Sequence, residues 1–209
     1  MSLRRRVVDT LRTLVWAHTV LGSSAHRIRS YQRAADLFDR WDGDIVADRA
    51  SGALAATPGV GRSTLALVDD LIAGAVPDAL LDVQHRLPEG LFELRAVRGL
   101  GPKRTRALYD SLGITSLAEL AYACHENRLV SLPGFGAKLQ RTLAAEAERV
   151  QSQAHLHRRD QAMAAFRAVQ QAHPDAVLVG DLARGAEVVD QVEVVLLVPA
   201  PMPETDVPV

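Results

Sequence analysis

One short junction, repeated three times, limits this 209-residue chain more than anything else in it. "TPGVGRSTLALVDDLI" (57–72), "VRGLGPKRTRALYDSL" (97–112) and "LPGFGAKLQRTLAAEA" (132–147) share one frame of glycine, one apolar residue, glycine, and a helix-compatible run of about ten residues. The glycine pairs are Gly59/Gly61, Gly99/Gly101 and Gly134/Gly136, so the spacings are 40 and 35 residues. That irregularity indicates a repeated supersecondary unit rather than a solenoid. Glycine permits positive φ and removes side-chain bulk, which lets another backbone come close. A helix starting just after the second glycine turns its unpaired N–H groups and the positive end of its dipole toward the same spot. Cationic residues are disfavoured at a helix N-terminus, yet Arg62, Lys103, Arg104, Arg106, Lys138 and Arg141 occupy the first two turns of the three helices. An anionic partner offsets that cost.

Net charge is −1 and by itself does not suggest a nucleic-acid binder, but the charge is segregated. Residues 1–42 and 95–150 are each +4, residues 151–169 are +2, residues 43–94 are −5 and residues 170–209 are −6. The single cysteine, Cys124, forms no internal disulfide and has no neighbours at metal-ligand spacing, which suits a reducing, cytoplasmic setting. The start has a basic, then apolar, order that superficially resembles a signal peptide. Asp9 and Arg12 interrupt it, and Val8, Leu11, Val15 and residues 17–21 recur at helical spacing, as in an amphipathic core helix. No run reaches the roughly 20 apolar residues a membrane span requires.

The three junctions resemble helix-hairpin-helix motifs, and their order and flanks resemble the N-terminal part of bacterial family X DNA polymerases. "HRIRSYQRAADLF" (26–38) resembles the basic–Tyr–basic segment of that family's N-terminal lyase domain, and residues 112–139 resemble the link between its second and third hairpins. The likeness runs from about residue 5 to 198. It implies a mainly α fold of helical bundle domains with three hairpins, followed by a small α/β nucleotidyltransferase-like palm fragment. The expected divisions are a lyase-like domain with the first hairpin (1–84), a fingers-like domain with the second and third (85–152), a partial palm (153–198) and a Pro-rich tail (199–209).

The resemblance also implies sites. Arg27 and Tyr31 match residues that hold a 5′-phosphate, a task suited to a guanidinium fork and a directed phenol. The backbone of Arg95, Val97 and Leu100 matches carbonyls that hold K+ or Na+. The lyase reaction needs a lysine amine, but Leu67 stands at that position, Ser63 replaces another phosphate-contacting lysine, and residues 43–94 contain no lysine. "DAVLVGDLARGAEVVDQVEVVLLV" (175–198) reads as two apolar strands around a polar connection and resembles the first palm hairpin, where Gly-Ser precedes Asp-x-Asp. Here Gly180-Asp181 and then Gln191-Val192-Glu193 occupy those places. Glutamine removes one of two charges that would hold Mg2+ or Mn2+, and Asp190 is one residue out of phase.

His155 and His157, two residues apart, lack the i, i+4 spacing of paired helix ligands and read as surface residues. The functional expectation is sequence-nonspecific binding of double-stranded or gapped DNA in repair, with lyase and polymerase residues lost and a nucleoid-associated location. One alternative is a family X polymerase truncated here, or completed by a palm or nuclease domain encoded downstream. Another is a protein-interaction module using the acidic C-terminal segment.

Overall fold

The computed structural model describes residues 2–154, 157–186, 188–189 and 192–196. The fold is mainly α with a small α/β element, and the chain divides into two units, Met1–Glu148 and Arg149–Val209.

The first unit is organised around α1 (Leu3–Val20). Ser2 caps it by accepting from the Arg5 N–H, and Val7, Val8, Leu11, Leu14, Ala17 and Val20 form its buried stripe. The helical spacing read from the sequence is therefore a core face. The next helices are α2 (Ala25–Asp39, capped by Ser24), α3 (Ile45–Ala50, capped by Asp44), α4 (Ala53–Ala56), α5 (Arg62–Ile72) and α6 (Asp78–Arg86). Beyond them lie α7 (Gly90–Glu93), which runs into a 3-10 turn at Leu94–Ala96, α8 (Pro102–Leu112) and α9 (Leu117–His125). A second 3-10 turn, Leu129–Ser131, precedes α10 (Ala137–Ala154). The long helix α1 packs against α2, α5, α6 and α8, so residues on both sides of position 84 share one core.

Arg95 ties the second hairpin region to α1. Its guanidinium lies 5.6 Å over the Trp16 ring and donates to Thr13 Oγ1 at 3.0 Å, while Trp16 packs against Phe92. Burial outweighs the attraction of Asp9 and holds the Arg95 pKa below its ordinary value. Trp16 and Phe38 are buried and Trp41 is half-buried against Phe38.

In the second unit, α11 (Arg159–Ala172) and α12 (Gly180–Ala183) meet through Ala162 and Leu182, with Met163, Leu178, Ala186 and Val192 packed around them. Strand β2 (Ala176–Val179) pairs antiparallel with β4 (Glu193–Leu196), placing Val179 opposite Glu193 and Val177 opposite Val195. The two-residue strands β1 (His157–Arg158) and β3 (Val188–Val189) form a second antiparallel pair. Two apolar strands around a connection are thus present, with α12 and β3 inside that connection. Glu187, Asp190, Gln191, His155 and the tail from 197 onward lie outside the described residues.

Candidate nucleic-acid interface

Each Gly-apolar-Gly junction is the same bend. The N–H of Val60 donates to the Thr57 carbonyl at 3.1 Å, that of Leu100 to Val97 at 3.2 Å and that of Phe135 to Leu132 at 3.1 Å. The first glycine takes the third position with φ of +95° at Gly59, +83° at Gly99 and +83° at Gly134. That position of a type II turn requires a left-handed residue, and Pro58 and Pro133 suit the position before it. The apolar residue between the glycines is the anchor. Val60, Leu100 and Phe135 are all buried, which fixes each bend to the core while its glycines stay at the surface.

The second glycine has a different status. Gly61 (φ −93°, ψ 174°) and Gly101 (φ −78°, ψ 169°) adopt extended backbone open to any residue. A Cβ added at Gly61, Gly101 or Gly136 would meet no protein atom within 4 Å. Neither the turn nor the packing of the chain demands glycine there.

α1, α2, α3 and α9 receive side-chain caps from Ser2, Ser24, Asp44 and Ser116, whereas α5 and α8, like α4, α6 and α7, receive none. Arg62, Lys103, Lys138 and Arg141 are exposed, and none makes an ion pair or side-chain hydrogen bond among the described residues. Arg104 and Arg106 are exposed but engaged. Arg104 Nη1 donates to the Gly99 carbonyl at 2.8 Å, bracing its own hairpin. Arg106 Nε donates to Asp110 Oδ2 at 3.1 Å, and its guanidinium occupies the space in front of Gly22 (φ +65°), where a Cβ would lie 2.2 Å from Nη1. Thus Arg106 helps join α8 to the α1–α2 turn. Sequence spacing gave no sign of this, because Gly22 is remote in the chain.

Arg27 and Tyr31 lie on α2 beside a cavity of about 330 Å3. His26 and Ser30 of α2, His18 from α1, Ser63 and Thr64 from α5 and Ala79 and Asp82 from α6 also line it. His18 is only 2% exposed. Its ring stacks on Tyr31 with centroids 5.4 Å apart and planes 6° from parallel, and Nδ1 lies 2.9 Å from Ser23 Oγ. Burial, then Arg27 and Arg86, hold the His18 pKa below its ordinary value against the opposing pull of Asp82. Burial raises that of Tyr31. Sequence reading placed residues 17–21 in an apolar run and so passed over His18; a polar ring on a core stripe was the available signal. Leu67, at the position where the resemblance expects a lysine, is a core residue at 2% exposure.

At the second hairpin the Val97 carbonyl accepts the turn hydrogen bond from Leu100, and the Arg95 and Leu100 carbonyls belong to the same segment. In the second unit Glu193 stands over Gly180 (φ +72°), where an added Cβ would be 2.7 Å from its carboxyl group. Strand pairing therefore brings the Gly180 and Glu193 positions together. Asp181 is ion-paired with Arg184. Among the described residues no three His, Cys, Asp or Glu side chains converge as a metal site, and no helix is long and apolar enough to cross a membrane.

Residues 92–149 match the family described as a SAM-like helix-hairpin-helix tandem. The chain is also similar to the DNA polymerase/3'-5' exonuclease PolX of Bacillus subtilis (strain 168), with 24% identity over 135 residues, 65% of this chain. The match spans 23% of that relative's length. The chain thus resembles the N-terminal portion of a family X DNA polymerase.

Proposed function

We propose that the chain binds the DNA sugar–phosphate backbone without reading base sequence, through its three hairpins, and that it acts at gaps or ends in DNA repair. The second glycines carry this reading. Gly61 and Gly101 have backbone angles any residue can take and open space in front, so their missing Cβ serves a partner approaching from outside. Uncapped helix starts with unpaired Arg62 and Lys103 suit a phosphate at that spot, and the third hairpin places exposed Lys138 and Arg141 in the first two turns of α10. Arg27, with Tyr31, would receive a terminal 5′-phosphate in the cavity between α1, α2, α5 and α6.

Carbonyl oxygens are hard ligands suited to K+ or Na+, and those of Arg95, Val97 and Leu100 would hold such an ion, which adds positive charge beside a bound phosphate. Arg104 already brings one cation to the same loop at Gly99. Lyase chemistry is lost in this reading because Leu67 is a buried hydrocarbon. Polymerase chemistry is lost in this reading because the sequence carries a neutral glutamine at 191, two positions before Glu193, and Asp181 is engaged with Arg184, a set that does not fit a two-ion Mg2+ or Mn2+ centre.

Binding should weaken steeply with salt, since each neutralised phosphate contributes a slope of about −0.9 in log K against log salt. A titration on gapped and intact duplex between about 50 and 200 mM salt tests this; salt-independent affinity would contradict it. One observation favours a second reading. The β2–β4 pair sets Gly180 against Glu193, two positions that the resemblance assigns to a palm hairpin, which suits a piece of a family X polymerase completed by a separate palm or nuclease domain. Primer extension with Mg2+ or Mn2+ separates the two, and nucleotide incorporation by this chain would favour the second.

A further inference from the structure

We infer that His18 is the proton-dependent cation of the α1–α2–α5–α6 cavity: its imidazole takes up a proton as a terminal phosphate enters, so recognition of the phosphate strengthens as pH falls. The inference rests on the phosphate-pocket reading given above and adds the source of the missing charge.

Arg27 and Asp82 are the formally charged side chains of the lining, and Asp82 is itself ion-paired with Arg86 at 3.3 Å, which leaves about one net positive charge around the cavity. Ser30, Tyr31, Ser63 and Thr64 contribute neutral hydroxyl groups. A terminal phosphate brings about −1.5 to −2 charges near neutral pH, so one net positive charge leaves it undercompensated. His18 and His26 are the imidazoles of the lining, and imidazole is the side chain whose ordinary pKa lies between about pH 5 and 8.

Geometry selects His18. His26 is exposed at the cavity rim, whereas His18 is buried and held in one orientation by the Tyr31 stack and the Ser23 contact. With Nδ1 engaged by Ser23, the other ring nitrogen has no partner within the described residues while the ring lines the cavity. A protonated imidazole donates from both nitrogens at once, so Nδ1–H serves Ser23 and Nε2–H serves a phosphate oxygen. Thr64, also buried, adds a hydroxyl from the start of α5.

The groups facing the ring explain why the proton arrives with the ligand. From α2 come Arg27, His26 and the neutral phenol of Tyr31; from α6 come Asp82 and Arg86; from α5 come the hydroxyls of Ser63 and Thr64. Without ligand, burial and the two arginines keep the imidazole neutral, with Asp82 in opposition. A phosphate reverses the local field and favours the imidazolium. Titration of the phosphate itself, near pH 6, works the other way, because the ligand loses charge as pH falls. A preference for phosphate that grows toward acid must therefore come from the protein.

The test compares the full chain on two gapped duplexes that differ only in a 5′-phosphate or 5′-hydroxyl at the gap, at fixed ionic strength, from about pH 8 to about pH 6. The affinity ratio of phosphate over hydroxyl should rise on acidification by up to about tenfold per pH unit, the limit for one proton taken up. His18→Gln should flatten the rise and His26→Gln should leave it. Calorimetry of the wild-type chain in two buffers of different ionisation heat gives the proton uptake directly and does not depend on a folded variant. A pH-independent ratio, zero proton uptake, or a rise retained by His18→Gln would overturn the inference. A chain that binds both duplexes equally at every pH would overturn it together with the phosphate pocket, yet leave the hairpin reading standing.

Discussion

Replacing Gly101 with alanine separates what the fold needs from what a ligand needs. Gly101 has φ −78° and ψ 169°, and a Cβ there meets no protein atom within 4 Å. Alanine should therefore leave the fold intact or raise stability by about 0.4–1 kcal/mol, through loss of freedom in the unfolded chain. The added methyl group projects into the space that a phosphate must enter to reach the N–H groups at the start of α8. Loss of one charge-assisted hydrogen bond costs about 1.5–3 kcal/mol, or roughly ten- to a hundredfold in affinity. Gly99→Ala is the counterpart. Its neighbours leave room, since the nearest atom is Leu139 Cδ1 at 3.8 Å, but φ is +83°, so alanine should cost about 1–2 kcal/mol of stability. Thermal melting and anisotropy on a labelled gapped duplex read both quantities for both variants. Unchanged affinity in Gly101→Ala, or a melting midpoint well below wild type, would refute the assignment of that glycine to an outside partner.

Leu67→Ala should cost about 2–5 kcal/mol in denaturant unfolding because the side chain is core; a loss under about 1 kcal/mol would contradict that placement. Glu119 accepts from the Thr115 N–H at 2.6 Å and the Thr115 hydroxyl at 2.9 Å, and these bonds, the backbone one first, lower its pKa. Its contribution is present above the unfolded carboxyl pKa and lost as pH falls through the folded one. The melting midpoints of wild type and Glu119→Gln should thus converge between about pH 6 and pH 3, and a constant gap would count against the capping role. Burial pushes the Cys124 thiol up to about 11, so a thiol reagent near neutral pH should label the native chain far more slowly than the denatured one, and equal rates would contradict the burial.

The hairpins were legible because their signal is local. A type II turn demands glycine at one position, proline favours the position before it, and an apolar residue between two glycines has to anchor somewhere; Val60, Leu100 and Phe135 do so in the core. The core stripe of α1 was legible for the same reason, since helical period alone places Val8 and Leu11 inside. What escaped depends on contacts distant in sequence. Arg104 and Arg106 read as free cations beside Lys103, yet one braces Gly99 and the other sits against Gly22, 84 residues earlier in the chain. His18 acquires its environment from α2, α5 and α6 together, which no single window of sequence contains.

Backbone amide shifts during titration with a gapped duplex test the central claim most directly. The account predicts that the largest changes fall on the N–H groups of Gly61, Arg62, Gly101, Lys103, Gly136 and Ala137, with the buried anchors between the glycines nearly still. Amides at those three bends that stay unmoved, while the duplex binds and shifts other surface residues, would contradict it.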